Sequence, residues 1–207
     1  KGSSYIDGPQ ALGVSPDGKH LYAACDNGGS YEYMIWFSID AGGSGALTYV
    51  NYKNPGPSFN DPKAIVFHSN GESLYVASNS VTAGYVMRYT RDPATGALSD
   101  ESKIGGQNYN TFTLVGLAIA PDNKHVYFTS GLYGYLGWNP INSDGTFGTY
   151  NQNNYAPLTT AQKTSSGMGV NNGAMAVAVS LNGMWVYVYG AKEGKISRYT
   201  RNKDSTS

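Results

Sequence analysis

The sequence predicts an all-β protein, a β-propeller built from four repeats of four-stranded antiparallel blades. Three observations predict it. A phrase of alternating apolar residues returns four times, a turn signal stands at the centre of each copy, and no helical periodicity interrupts the 207 residues. The copies are Leu12–Ala24, Ile65–Ala77, Leu117–Thr129 and Val177–Tyr189. With Asp17, Asn70, Asp122 and Asn182 as anchors, successive copies lie 53, 52 and 60 residues apart. Five residues beyond each anchor stands a tyrosine: Tyr22, Tyr75, Tyr127 and Tyr187.

Each copy reads as strand, turn, strand. Asp-Gly and Asn-Gly supply the positive φ that a two-residue hairpin turn needs, and Asp122-Asn123 is the weaker variant. A third apolar segment follows each hairpin, at Tyr33–Ile39, Tyr85–Thr90, Tyr135–Trp138 and Lys195–Thr200. Glycine-bearing turns at Gly45-Ala46-Leu47, Gly96-Ala97-Leu98 and Gly145-Thr146-Phe147 then lead into a short fourth strand. Six residues before the anchors lie Ala11, Ala64, Gly116 and Ala176, small enough for innermost strands to approach closely around an axis. The expectation is one domain over residues 1–207, with blades at about 8–54, 61–107, 113–155 and 171–207. A polar segment at about 148–170 reads as an insertion, and residues 53–62 read as a linker between the first two blades. The fourth repeat stops after its third strand. Ser4-Tyr5-Ile6 could complete it and close a four-bladed ring, or pair with a neighbouring chain by strand addition. The four blades could equally be part of a larger propeller.

The repeated phrase resembles the YVTN or lactonase-type β-propeller repeat. The best matches are Val14–Ala24 and Leu74–Leu98, including Asp92-Pro93-Ala94-Thr95-Gly96-Ala97-Leu98. The resemblance covers nearly the whole chain except residues 148–170. It implies a propeller of about seven blades, in a family that holds sugar lactonases, surface-layer proteins and other extracellular proteins. With four repeats present, no active-site residue of that family carries over.

Composition excludes several partners. Fourteen Lys+Arg balance fourteen Asp+Glu, so no basic footprint for nucleic acid is present. No apolar run is long enough for a membrane-spanning helix. Charged residues make up 14% of the chain, against roughly 25% in an average domain. The single cysteine, Cys25, lies in an apolar strand and reads as a buried thiol. No leader peptide is evident, which suggests a cytoplasmic or already processed chain.

Chemistry is sparse. Loops entering the innermost strands carry Asp7, Asn60, Asp61, Asn171 and Asn172, a set of oxygens that could bind a ligand or calcium. The competing reading is that these residues cap turns through their own backbone. His20, His68 and His125 flank hairpin turns and read as solvent-exposed rather than as metal ligands. No nucleophile elbow or phosphate loop is present. The expectation is therefore a non-catalytic extracellular or cell-surface module that binds protein or carbohydrate, one version being a filament or coat subunit. The alternative is a hydrolase of lactones or sugar esters, with or without a divalent metal.

Overall fold

A computed structural model describes residues 8–26, 28, 32–79, 83–105, 113–131, 134–151, 154–157, 173–190 and 194–202. All of the regular structure among them is strand, arranged in four antiparallel sheets. The first blade is β1 (Pro9–Val14), β2 (His20–Cys25), β3 (Tyr33–Ile39) and β4 (Leu47–Lys53). The second is β5 (Asn60–Phe67), β6 (Ser73–Asn79), β7 (Gly84–Arg91) and β8 (Leu98–Gly105). The third is β9 (Leu114–Ile119), β10 (His125–Ser130), β11 (Tyr135–Pro140) and β12 (Tyr155–Pro157). The fourth has three strands among the described residues, β13 (Ala174–Val179), β14 (Trp185–Gly190) and β15 (Lys195–Thr200). Ser4, Tyr5 and Ile6, expected to supply the missing edge, lie outside the described residues.

Each hairpin turn is longer than the two residues expected. The amide of Ser15 donates to the His20 carbonyl, and that of Gly18 donates back to the Ser15 carbonyl. Asp17 fixes the turn by accepting from the Ser15 hydroxyl and the Lys19 amide. The left-handed residue is thus the one after the anchor: Gly18, Gly71 and Gly183 at φ 69, 72 and 67°, with Asn123 filling the same place at 58°.

The inner strands β1, β5, β9 and β13 pack in succession. At Gly116 an added Cβ would lie 3.1 Å from the Ala176 Cα, so a small residue is what lets β9 meet β13. Apolar side chains fill each junction: Tyr22, Met34 and Trp36 against Leu74, Met87 and Tyr89, then Tyr75 and Val86 against Leu117 and Val126, then Tyr127 and Leu136 against Val186 and Val188. A fully buried large side chain of this kind contributes about 1.5–3 kcal/mol. Cys25 is buried, as expected. The faces at the two ends of the series are open, with Leu12 62%, Ile196 70% and Tyr187 37% exposed.

Three of the four repeated tyrosines are junction residues, and Tyr187 lies on an open end face. Tyr22 donates to the Gly96 carbonyl of the next blade at 2.7 Å, and Tyr75 donates likewise to Gly145. Tyr127 accepts from Arg201 Nε at 3.0 Å. Two arginines complete the junctions. Arg91, 1% exposed, ends β7 and reaches back to blade one, where it donates to the Tyr22 hydroxyl, both Asp17 oxygens and, within its own blade, the Gly71 carbonyl. Its Nη2 lies 2.7 Å from His20 Nδ1. Arg201 repeats this arrangement with Asp122, Tyr127, His125 and the Gly183 carbonyl. The expectation of exposed histidines is therefore wrong for all three. His20 and His125 are buried beside arginines from the next blade, and His68 is buried beneath its own turn.

Blade three also departs from expectation. Phe147, expected to open its fourth strand, makes a single bridge to Ile141 and packs its ring 5.6 Å from that of Tyr75 in blade two. That contact draws the chain into the junction, so the edge strand forms later, at β12, within the segment expected to be an insertion. Residues 158–170 of that segment lie outside the described residues. The linker before blade two is likewise shorter than expected, since β5 begins at Asn60.

Gly96 tests the junction geometry. It has φ 74°, and an added Cβ would meet His20 Cδ2 at 2.5 Å and Trp36 Cδ1 at 2.9 Å. Gly96→Ala is expected to lose about 1–3 kcal/mol from overpacking, on top of about 1–2 kcal/mol for the left-handed backbone. Gly18→Ala, with φ 69° and open space around it, carries only the backbone part. Urea unfolding of the two variants measures the difference, and equal losses would contradict the packing.

Candidate active site

The candidate site lies where β2 gives way to β3 and β5 begins, at the end of the blades opposite the hairpin turns. Register between β5 and β6 shifts between Asn60 and Ala64, a bulge that breaks the ladder at Asp61 and Lys63. Asp61 stands at φ 43°, an uncommon conformation for an aspartate followed by proline. Its carboxylate is paired with the Lys63 ammonium. The Asn79 side chain reaches toward the Asp61 carbonyl at 3.4 Å, donates to the Leu114 carbonyl at 3.1 Å and accepts from the Leu114 amide at 2.7 Å. Asn79 thereby straps blade two to blade three behind the bulge. Asn60 is held through its backbone, its amide and carbonyl both engaging the Ser78 hydroxyl at 2.9 Å.

Glu32, just before β3, is 8% exposed, and its Oε2 has no hydrogen-bond partner. Burial, reinforced by the negative charges of Asp26 and Asp61, pushes its carboxyl up to about 7, against the opposing pull of a backbone hydrogen bond from Asp61. A carboxyl poised there exchanges protons at neutral pH, which is what general acid–base catalysis demands. Asp26 is oriented by accepting from the Gly28 amide at 2.8 Å.

Of the residues singled out from sequence, the structure brings Asn60 and Asp61 to this mouth. Asp7, Asn171 and Asn172 lie outside the described residues. The calcium reading gains no geometry. Lys63 occupies Asp61, and among the described residues no three His, Cys, Asp or Glu side chains converge as a metal site. Sequence reasoning missed Glu32, although one signal was present. It is one of only four glutamates, and it sits between two tyrosines, Tyr31 and Tyr33, an unusual setting for a carboxylate.

Consecutive antiparallel blades packed through their inner strands define a β-propeller. Residues 4–113 match the model of the lactonase, seven-bladed β-propeller family. The match covers more than half of the chain, and the chain belongs to that family. No curated protein matches it. Among solved structures, the chain is similar to the periplasmic gluconolactonase of Pseudomonas aeruginosa, at 16% identity and TM-score 0.74, over 96% of this chain and 55% of that one. It is similar to a candidate 6-phosphogluconolactonase of Bacteroides fragilis, at 18% identity and TM-score 0.72, over 95% and 54%. It is also similar to the hydrazine synthase of Kuenenia stuttgartiensis, at 16% identity and TM-score 0.66, over 95% and 60%. The chain thus spans between half and three-fifths of the length of these structures. At such identities the likeness is one of fold, and the three proteins carry different names on it.

The family overturns the expectation of a non-catalytic structural or filament-forming module. That expectation rested on the lack of a recognisable catalytic constellation, whereas here the candidate acid is recognisable only through its burial. The extracellular or cell-surface placement gains little: one neighbour is periplasmic, and that is a property of the neighbour.

Proposed function

We propose that the chain carries a lactone-hydrolysing site with Glu32 as general base. The observation that carries the reading is the buried Glu32 carboxyl, its Oε2 without a hydrogen-bond partner, at the propeller mouth of a chain in the lactonase family. In this reaction the ionised Glu32 takes a proton from water as its oxygen attacks the lactone carbonyl carbon. The tetrahedral intermediate collapses, the ring C–O bond breaks, and the protonated Glu32 returns the proton to the departing alkoxide. The product is a hydroxy acid, which releases its own proton to solvent. Lys63, fixed by Asp61 on the bulge, offers a cation for the developing oxyanion. No step runs through a metal.

The open end faces favour four blades as consecutive members of a larger ring over a closed four-bladed ring. A closed ring would cover Leu12 and Ile196, both largely exposed.

The test is acid release from sugar δ-lactones, phosphorylated and unphosphorylated, measured against spontaneous hydrolysis. kcat/KM is expected to rise as pH passes through about 7 and to level off above it, because the base must be ionised. Rates equal to the spontaneous ones across the panel would overturn the reading.

A further inference from the structure

Three positions alternate from blade to blade. Opposite the repeated tyrosine stands a tryptophan in blades one and three, where Tyr22 pairs with Trp36 and Tyr127 with Trp138. In blades two and four it is an arginine, Tyr75 pairing with Arg88 and Tyr187 with Arg198. The turn anchor is Asp17 or Asp122 in the first kind and Asn70 or Asn182 in the second. At the end of the third strand stand Ile39, Arg91, Ile141 and Arg201 in turn, their amides donating to the carbonyls of Lys19, Glu72, Lys124 and Met184.

These positions meet across the junctions. An aspartate anchor receives an arginine from the next blade, as Asp17 does Arg91 and Asp122 does Arg201. An asparagine anchor receives isoleucine. At that middle junction Tyr75 and Arg88 supply the polar contacts, both donating to the Gly145 carbonyl on the turn after Ile141, while Arg88 also donates to the Ser73 hydroxyl at 3.0 Å. Exchanging the kinds would leave an aspartate against isoleucine or set two guanidiniums together, so each outgoing face selects its incoming partner.

The two open ends of the series are the two halves of an isoleucine junction. Blade four presents Tyr187, Tyr189, Ile196 and Arg198, all exposed, with Arg198 lying 4.4 Å over the Trp185 ring. Blade one presents Leu12, Val14 and Leu47, also exposed, beside Ile39. Its Gly45 takes the place of Gly145, with φ 65° against 82°. An added Cβ at Gly145 would collide with Ser73 across the junction, whereas at Gly45 it would meet nothing within 4 Å.

We propose that two copies of this chain associate head to tail, blade four of each against blade one of the other, in a closed eight-bladed ring of two-fold symmetry. Tyr187 and Arg198 donate to the Gly45 carbonyl of the second copy, and its Leu12, Val14 and Leu47 cover Tyr189 and Ile196. Every junction of that ring keeps the alternation, which a ring of seven blades would break once. Eight blades lie within the ordinary range of propellers. The second copy supplies the remaining blades of the larger ring favoured above, and the pairing does not depend on the Glu32 chemistry.

Sedimentation equilibrium of the 207-residue chain tests it. Twice the chain mass is expected, with a Kd below about 10 µM and no larger species, since both junctions close within the pair. Arg198→Glu and Leu47→Asp alter exposed side chains at opposite ends, so both should fold, and each is expected to weaken association by at least about tenfold. Mixing the two variants should restore association toward wild type, because the mixed pair keeps one unaltered junction. Should either misfold, Tyr187→Phe and Leu47→Ala test the same two faces more gently. A chain that stays monomeric to about 100 µM overturns the proposal and leaves the end faces to further blades of a longer chain or to another protein. Polymers beyond the pair overturn the closed ring. A loss confined to one variant means that like faces meet, and overturns the head-to-tail order. None of these readouts involves lactone turnover.

Discussion

Arg91→Met is expected to destabilise the protein by more than about 2 kcal/mol, because each buried acceptor that loses its partner costs about 1–3 kcal/mol. The guanidinium serves the Tyr22 hydroxyl, the Gly71 carbonyl and both oxygens of Asp17, and it lies against His20. A thioether of similar length fills the space and satisfies none of them. In the wild type, burial keeps His20 below its ordinary value and the Arg91 charge adds to this. Asp17 adds a pH signature. Partial burial raises its carboxyl, but hydrogen bonds from Ser15, Lys19 and Arg91 more than offset this and bring it down to about 2. Its folded value lies below its unfolded one, so its contribution is complete above about pH 4 and is lost as pH falls toward 2. Urea unfolding between pH 3 and 7 should show that acid-side loss in the wild type and a smaller one in Arg91→Met, where the Ser15 and Lys19 hydrogen bonds to Asp17 remain. A variant within about 1 kcal/mol of wild type at pH 7 would mean that the junction rests on its apolar contacts alone.

Glu32→Gln is expected to lower lactone turnover by about 10²–10⁴-fold while leaving the fold intact or firmer. Burial holds the folded-state carboxyl near 7, above the 4.5 of the free side chain. Between those values the folded protein keeps a proton that the unfolded chain has released, so wild-type stability falls as pH rises through that window. The amide cannot ionise and escapes this loss. Relative to wild type, the variant should therefore gain stability from below pH 5 to pH 8 while it loses activity throughout. Kinetics and unfolding on the same samples separate the two effects. A kcat/KM within tenfold of wild type would remove Glu32 from the chemistry, and a parallel fall in stability would make its role structural.

The architecture was open to reading because it repeats. Asp17, Asn70, Asp122 and Asn182 mark turns that the structure places at equivalent points of four blades, and the tyrosines five residues on are junction residues in the first three. Small residues at Ala11, Ala64 and Gly116 foretold close inner strands for the same reason. What lay hidden depends on contacts between distant positions. Nothing near His20 announces that Arg91 will cover it, so an imidazole beside a turn looked exposed. Phe147 follows a turn like those at Leu47 and Leu98, and only the ring of Tyr75 in the next blade explains why it leaves the edge. Glu32 sits in a stretch with no repeat partner, and its character comes from Asp26, Asp61 and the loss of water around it. Family resemblance supplied the propeller fold, and the reaction class proposed above rests on that family together with the buried Glu32.

The alternation of arginine and isoleucine at the junctions changes what counts as the unit of this protein. Blades one and two are bolted by Asp17 and Arg91, and blades three and four by Asp122 and Arg201, while the middle junction holds with Ile141. The chain is therefore two tandem cassettes of two blades each rather than four equal repeats. Asn182, matching Asn70, gives the fourth blade the same outgoing character as the second.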